Sequence, residues 1–245
     1  MAQRRGEKVN LKPLGRKAYG SIPHLPGSRL GPGDHHCHEG QAAIACQKTR
    51  DQYDRIIVTE KLDGSCVAAA KLAGQILSLG RGGYLAQSSK YKQHQLWAAW
   101  VRLNASRFRA LLRDGEWAAG EWLAQAHGTR YTLLHEPFVM FDLFRNERRI
   151  SHDELHQLTQ LYEFTCPFVV SDGPPLSIGS VQDLIKISHH GALDPVEGAV
   201  WRVERNGIFD FMCKWLRPDK KDGRYLPEIS GKKGIWNWKP NMGVL

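Results

Sequence analysis

Two apolar-rich runs, Glu197–Glu204 and Ile208–Trp215, flank Arg205-Asn206-Gly207. Asn and Gly both tolerate the positive φ that a tight hairpin turn requires, so this stretch commits the chain to antiparallel pairing. A loop centred on Asn206-Gly207 pairs Arg205 with Ile208, and Ala199 then faces Lys214. Cross-strand partners share a sheet face, as do residues two apart on one strand. The spacing therefore predicts Glu197, Trp201 and Lys214 on one side, and Arg202, Phe211 and Cys213 on the other. A carboxylate, a lysine and a tryptophan on one face are either an exposed polar surface with a stabilising pair, or a metal ligand and a phosphate ligand lining a pocket.

Further strands are expected at Ile56–Glu60, Glu116–Ala124 and Pro137–Phe144, with a hairpin of Ser65–Leu72 and Gln75–Leu79 turning at Ala73-Gly74. Leu96, Trp97, Trp100 and Val101 recur at helical spacing between Ser89 and Asp114, which predicts two helices there. Ser151-His152-Asp153-Glu154 is a capping box that opens another helix, and Ser180–Ser188 reads as a short one. Strands and helices alternate without a regular βα rhythm, so the expected class is α+β with mostly antiparallel sheets. Residues 1–50 read as irregular. The expected organisation is a lead-in over 1–54 packed on or flanking the core, a core over 55–217, and a basic and aromatic tail over 218–245.

At 245 residues with 42% hydrophobic content, the chain can bury a sizeable core, which excludes wholesale disorder. No apolar run is long enough to cross a bilayer, and the basic start has no apolar segment behind it. Five scattered cysteines without CxxC argue against a disulfide framework. A cytoplasmic protein is expected. The net charge of +9 suits a polyanionic partner. His35-His36-Cys37-His38 is either a polar loop or part of a zinc site, and no clear partner pair at longer spacing exists for the latter.

Thr59-Glu60-Lys61-Leu62-Asp63-Gly64-Ser65 puts a lysine at the end of an apolar strand, before a tight Asp-Gly turn. It is either an ordinary surface lysine or a nucleophile. A nucleophilic amine must be neutral, so its ordinary pKa of about 10.4 has to fall. Lys61-Leu62-Asp63-Gly64-Ser65, Gly80-Arg81-Gly82, Gly120-Glu121-Trp122, Phe138 to Asp142, Glu197 to Arg202, and Lys214 to Arg217 then follow in order. This ordered set resembles the covalent nucleotidyltransferase superfamily of ATP-dependent ligases and mRNA capping enzymes, and its RNA ligase branch most. The stretches Gly120–Gly128 and Ile22–Ser28 are similar to compact bacterial and phage RNA-ligase-like proteins. The likeness covers roughly residues 20–220.

The resemblance implies an antiparallel adenylation domain, with ATP as AMP donor and Mg²⁺ or Mn²⁺ as metal. Lys61 would attack the α-phosphorus, Glu197 would hold the metal, and Lys214 would neutralise the α-phosphate. Glu121 would accept from a ribose hydroxyl. Phe141 would stack on adenine, in preference to Phe138. Arg81 would sit near the ribose or the incoming 5′-phosphate, and Glu60 against the adenine edge. RNA with 5′-phosphate and 3′-hydroxyl ends is the implied substrate, with DNA and a helper protein as alternatives.

Two departures stand out. Cys66 occupies the position where DNA ligases and capping enzymes carry arginine, which favours the RNA branch. Leu216 stands two residues after Lys214, where a second cation is common. The stretch after Lys214 is too short for an oligonucleotide-binding barrel. Its Lys220, Lys221, Arg224, Lys232 and Lys233 alternate with Tyr225, Trp236 and Trp238, which is either a single-strand-binding surface or a strap packed on the domain. A non-catalytic nucleic-acid-binding module is the competing class. It would have no reason to keep Lys61, Glu121, Glu197 and Lys214 together.

Overall fold

The computed structural model describes residues 12–239. The order is α1 (Glu39–Cys46), β1 (Asp54–Lys61), β2 (Ser65–Leu72), β3 (Gln75–Gly80), α2 (Lys92–Leu103), α3 (Ala105–Leu111), β4 (Trp117–Trp122), β5 (Phe138–Arg145), β6 (Arg148–Arg149), α4 (His152–Leu161), β7 (Val169–Gly173), α5 (Ile178–Leu184), β8 (Gly198–Arg205), β9 (Ile208–Leu216) and α6 (Pro227–Ser230). The strands form two antiparallel sheets, β7-β1-β8-β9 and β3-β2-β4-β5-β6. The class is α+β, as expected.

β2 is a run of small residues buried on both faces. Val67 and Ala69 face the layer under α2 and α3, which supplies Trp97, Trp100 and Phe108. Ala68 and Ala70 face Tyr19, Trp117 and Phe144. Bulky rings on both sides leave room only for small side chains between them, which explains alanines in a strand they do not intrinsically favour. The β7-β1-β8-β9 sheet has its own core, where Ile56, Val58, Trp201 and Cys213 pack with residues of α1 and α5. Fully burying one large apolar side chain contributes roughly 1.5–3 kcal/mol.

The Asn206-Gly207 hairpin is present, with φ of 51° and 73° at its centre and Arg205 opposite Ile208. Its facing pattern differs from the expectation. The register shifts between Val203 and Glu204, leaving Asp210 as an extra residue, and Lys214 then pairs with Val200. A β-bulge flips every side chain beyond it. Trp201 thus joins Cys213 in the core, and Phe211 packs against it there, while Arg202 shares the Lys214 side. Glu197 reaches that side for another reason: it precedes the strand. Gly198 has no room for a Cβ, because the Trp215 carbonyl oxygen occupies the space.

The lead-in is not wholly irregular, since α1 lies within it. Its short EGQAAIAC sequence has one fully buried residue, Ala45, and too little periodicity to be read from sequence. The Ser151 cap is as expected, its hydroxyl accepting from the Glu154 N–H at 3.2 Å. Among the described residues no helix is long and apolar enough to cross a membrane. The basic start of the chain, which lacks the apolar segment a secretory signal needs, lies almost wholly outside the described residues.

Candidate active site

β1 ends at Lys61 in one sheet and β2 begins at Ser65 in the other, so Leu62-Asp63-Gly64 is the bridge between sheets. Gly64 is required there, since a Cβ would run into the Trp122 carbonyl oxygen. Its N–H donates to Glu121 Oε1 at 2.9 Å, and the Asp63 N–H donates to Tyr131 Oη at 3.0 Å. The strand-end lysine thereby lines a cleft of about 860 Å³ between the two sheets. That volume lies in the range of small-molecule sites. Glu60, Lys61, Arg81, Glu121, Phe141, Glu197 and Lys214 all line it.

Lys61 Nζ donates to Glu197 Oε2 at 3.0 Å and to the Leu62 carbonyl at 2.5 Å. Burial pulls the Lys61 pKa down, but Glu197, Glu121 and Asp63 outweigh it and hold the amine above its ordinary value. In the free protein Lys61 is therefore an ammonium, contrary to the lowered pKa expected of a nucleophile. Glu197, though buried, is held below the usual carboxylate range by Lys61 and Lys220. Burial raises Glu121, and burial with Glu197 raises Asp63 to about 6. Burial and Lys61 lower Lys214, partly offset by Asp34, which lies 3.9 Å from its Nζ.

Phe138 and Phe141 separate cleanly. Phe138 is 1% exposed, its ring 4.7 Å from that of Trp97 in the helix-side core. A register shift between Ala119 and Gly120 leaves Phe141 unpaired with β4 and turned into the cleft, edge-on to Tyr19 at 4.9 Å. Glu60 offers the cleft mainly its backbone. Its carboxylate is engaged by Ser188 Oγ at 2.5 Å and the His189 N–H at 3.0 Å. Arg81 lies at the rim, donating to the Gly20 carbonyl at 3.1 Å and to Ser21 Oγ at 3.0 Å.

The lead-in contributes more than sequence reasoning assigned to it. The Lys214 N–H donates to the Pro23 carbonyl at 3.0 Å, and the Leu25 N–H to the Lys214 carbonyl at 2.8 Å. His24 is fully buried, with Nδ1 2.7 Å from Ser28 Oγ and Nε2 3.1 Å from Asp34. His36 pairs with His24 as a β-bridge, and Cys37 enters the core. Among the described residues no three His, Cys, Asp or Glu converge as a metal cage.

Sequence reasoning also missed Asp142 and Arg202 as a unit. Asp142 is wholly buried and accepts from Tyr19 Oη at 2.6 Å, Arg149 Nε at 2.9 Å and Arg202 Nη1 at 2.8 Å. Arg202 Nε also donates to Glu204 at 2.6 Å. The network joins β5 of one sheet to β8 of the other at the residue next to Phe141 in sequence. Lys220 was the other omission. Its ammonium is buried in the cleft against Glu197 and Asp63. The rest of the tail straps the domain: the Ala126 N–H donates to the Ile235 carbonyl at 2.9 Å, and Trp238 meets Trp122 edge-on at 5.9 Å.

Two antiparallel sheets thus close on a lysine, acidic residues and a second lysine. Solved structures share the fold. A point mutant of Naegleria gruberi RNA ligase with ATP and Mn matches with a TM-score of 0.52 at 16% identity, over 82% of this chain and 60% of that one. Another mutant, with AMP and Mn, has the same TM-score and identity, over 82% and 60%. The same ligase with PPi matches at 0.52 and 15% identity, over 94% and 64%. This chain thus spans about 60% of the length of these Naegleria ligase structures. No curated protein sequence matches it. The RNA ligase family model matches residues 54–216, well over half of the chain. The chain belongs to the RNA ligase family.

Proposed function

We propose that the protein is an ATP-dependent RNA ligase that joins 5′-phosphate and 3′-hydroxyl ends through AMP carried on Lys61. The observation that carries this reading is the contact of the strand-end Lys61 with Glu197, inside a cleft that also presents Glu121, Phe141 and Lys214. Family membership and the fold it shares with RNA ligases support it. The proposed unit is an adenylyltransferase core over 55–217, braced by the lead-in and strapped by the tail. It is read as a cytoplasmic protein.

In this reading the Lys61 amine attacks the α-phosphorus and pyrophosphate leaves. Little new bonding falls to the protein beyond that amine, so positioning and charge neutralisation carry the rest. Lys214 faces the α-phosphate. Phe141 stacks on the base through its π face, and Glu121 accepts from a ribose hydroxyl. Arg81 meets the ribose or the incoming 5′-phosphate, and the Glu60 backbone lies along the base edge. The residues fit a divalent ion of the Mg²⁺ kind, which keeps several waters and needs only one or two carboxylates. Glu197, with Asp63 close by, would hold it. Such an ion supplies Lewis-acid charge at the phosphate. With Glu197 neutralised, Lys61 loses its strongest electrostatic hold on the proton.

Glu197→Ala is expected to slow metal-dependent adenylation by orders of magnitude, and Lys214→Ala likewise, measured as single-turnover transfer from ATP labelled at the α-phosphate. Unchanged rates in either variant would remove that residue from the mechanism.

The proposed substrate is tested with matched all-RNA, all-DNA and chimeric junctions carrying pre-adenylated 5′ ends, at fixed salt. RNA, or a ribonucleotide on the 3′-hydroxyl side, is expected to seal faster, because the 2′-hydroxyl is the local feature that separates the two. Binding is expected to weaken steeply with salt. Equal or faster sealing of all-DNA junctions would move the assignment to a DNA nick ligase. No sealing of any of these substrates by a protein that accepts AMP from labelled ATP would point to dependence on a helper protein.

A further inference from the structure

The two oxygens of Glu197 are both taken by ammonium groups, Lys61 on Oε2 at 3.0 Å and Lys220 on Oε1. Lys220 Nζ also lies 3.4 Å from Asp63 Oδ1 and 3.4 Å from Asp222 Oδ1. Its side chain is 7% exposed. Burying a lysine this deeply is costly unless its charge is matched. Glu197 and Asp63 match it and raise its pKa against the effect of burial. Asp63 is itself fixed from the other side, Oδ2 accepting from the Gly128 N–H and from Thr129 Oγ1, both at 3.0 Å.

The approach of Lys220 is built into the backbone. A Cβ on Gly128 would lie 2.7 Å from both Asp63 Oδ2 and the Lys221 carbonyl oxygen. Only glycine lets the 220–221 segment come this close. The two ammonium groups differ in freedom. Lys61 ends a strand, with its backbone paired to Gly198. Lys220 sits in the loop after β9, its N–H making a 3.2 Å bond to the Arg217 carbonyl. Asp222, half exposed and tied to Arg29, is a third carboxylate beside the Lys220 ammonium, at 3.4 Å and nearer to solvent than Glu197 and Asp63.

We propose that Lys220 is a tethered cation that holds Glu197 and Asp63 until a divalent metal ion displaces it, with Asp222 receiving the displaced ammonium. This rests on the reading of Glu197 as the metal carboxylate. A divalent ion and Lys220 cannot both stand against the same Glu197 oxygen, and their like charges repel at that distance. Lys220 therefore lowers the affinity for metal in the nucleotide-free protein, and it keeps this acidic cluster neutralised when no metal is bound.

The test is a Mn²⁺ titration of the full-length protein without nucleotide, with free Mn²⁺ followed by electron paramagnetic resonance. Lys220→Met is expected to bind Mn²⁺ about tenfold more tightly than the wild type. Lys220→Arg, which keeps the charge, is expected to stay near wild type. Lys214→Met removes a cation from the same cleft that does not touch Glu197, and should give a smaller gain. Lys220→Met affinity at or below wild type, or a gain no larger than that of Lys214→Met, overturns the proposal.

A second measurement needs no substitution. Reductive methylation of Lys220, mapped by mass spectrometry, is expected to be slow without metal and to accelerate with saturating Mn²⁺. No change in rate also overturns the proposal. The underlying reading fails separately: if Glu197→Gln binds Mn²⁺ as the wild type does, Glu197 is not the metal carboxylate and this inference falls with it.

Discussion

Lys61→Arg is expected to form no protein–AMP adduct while keeping its fold. Arginine preserves the positive charge beside Glu197, so the pocket electrostatics are largely retained. Its guanidinium stays protonated at any working pH and presents no neutral amine to the α-phosphorus. Labelled ATP and denaturing electrophoresis measure the adduct, and thermal melting checks the fold. The effect should be complete, because no other described lysine combines a fixed strand end with this cleft. Lys214 lies on β9 beside Asp34, and Lys220 is drawn to Glu197 and Asp63. An adduct that persists in Lys61→Ala, or that maps to either of these, would reject Lys61 as the nucleophile.

The largest loss of stability is expected from Asp142→Ala. The substitution leaves Tyr19 Oη and Arg149 without their carboxylate and takes one of two acidic partners from the buried Arg202. Breaking a buried ion pair by removing one partner costs about 3–5 kcal/mol. Urea denaturation measures it, with the change expected in the midpoint and not the slope. Replacing Arg149 as well, as in Asp142→Leu with Arg149→Met, should recover part of the loss, because the charge left without a carboxylate is removed while Arg202 keeps Glu204. A loss below about 1 kcal/mol for Asp142→Ala, the scale of an exposed pair, would show that the network does not tie the sheets.

The elements of the core were legible because their signals are local. Asn206-Gly207 specifies its turn through φ, Ser151 and Glu154 specify a helix start through one cap, and the tryptophans of α2 repeat at the helical period. The side that each residue faces was less legible. The hairpin side chains were assigned by parity from the turn, and one extra residue at Asp210 reversed that parity for Trp201 and Arg202. A bulge has no strong sequence mark when the inserted residue is polar and at the sheet edge. Here Asp210 is held by Arg50, a residue 160 positions away. The same limit applies to α1, which gains its place from packing more than from its own sequence.

By itself the sequence determined which residue types would be available and in what order along the chain: a lysine before Asp-Gly, a Gly-Glu-Trp strand, a Phe-Asp pair, and an acidic residue and a lysine on either side of a tight turn. Their order carries the family resemblance. Tertiary structure alone decided that the Lys61 pKa lies above its ordinary value and not below it, because that depends on three carboxylates brought from residues 63, 121 and 197. It also decided that Phe141 and not Phe138 faces the cleft, through a register shift in β5. It drew Lys220 out of a basic tail and into contact with Glu197. Charge balance and burial are sums over everything within a few ångströms. A one-dimensional pattern records neighbours along the chain, and most of the groups that set these properties are neighbours only in space.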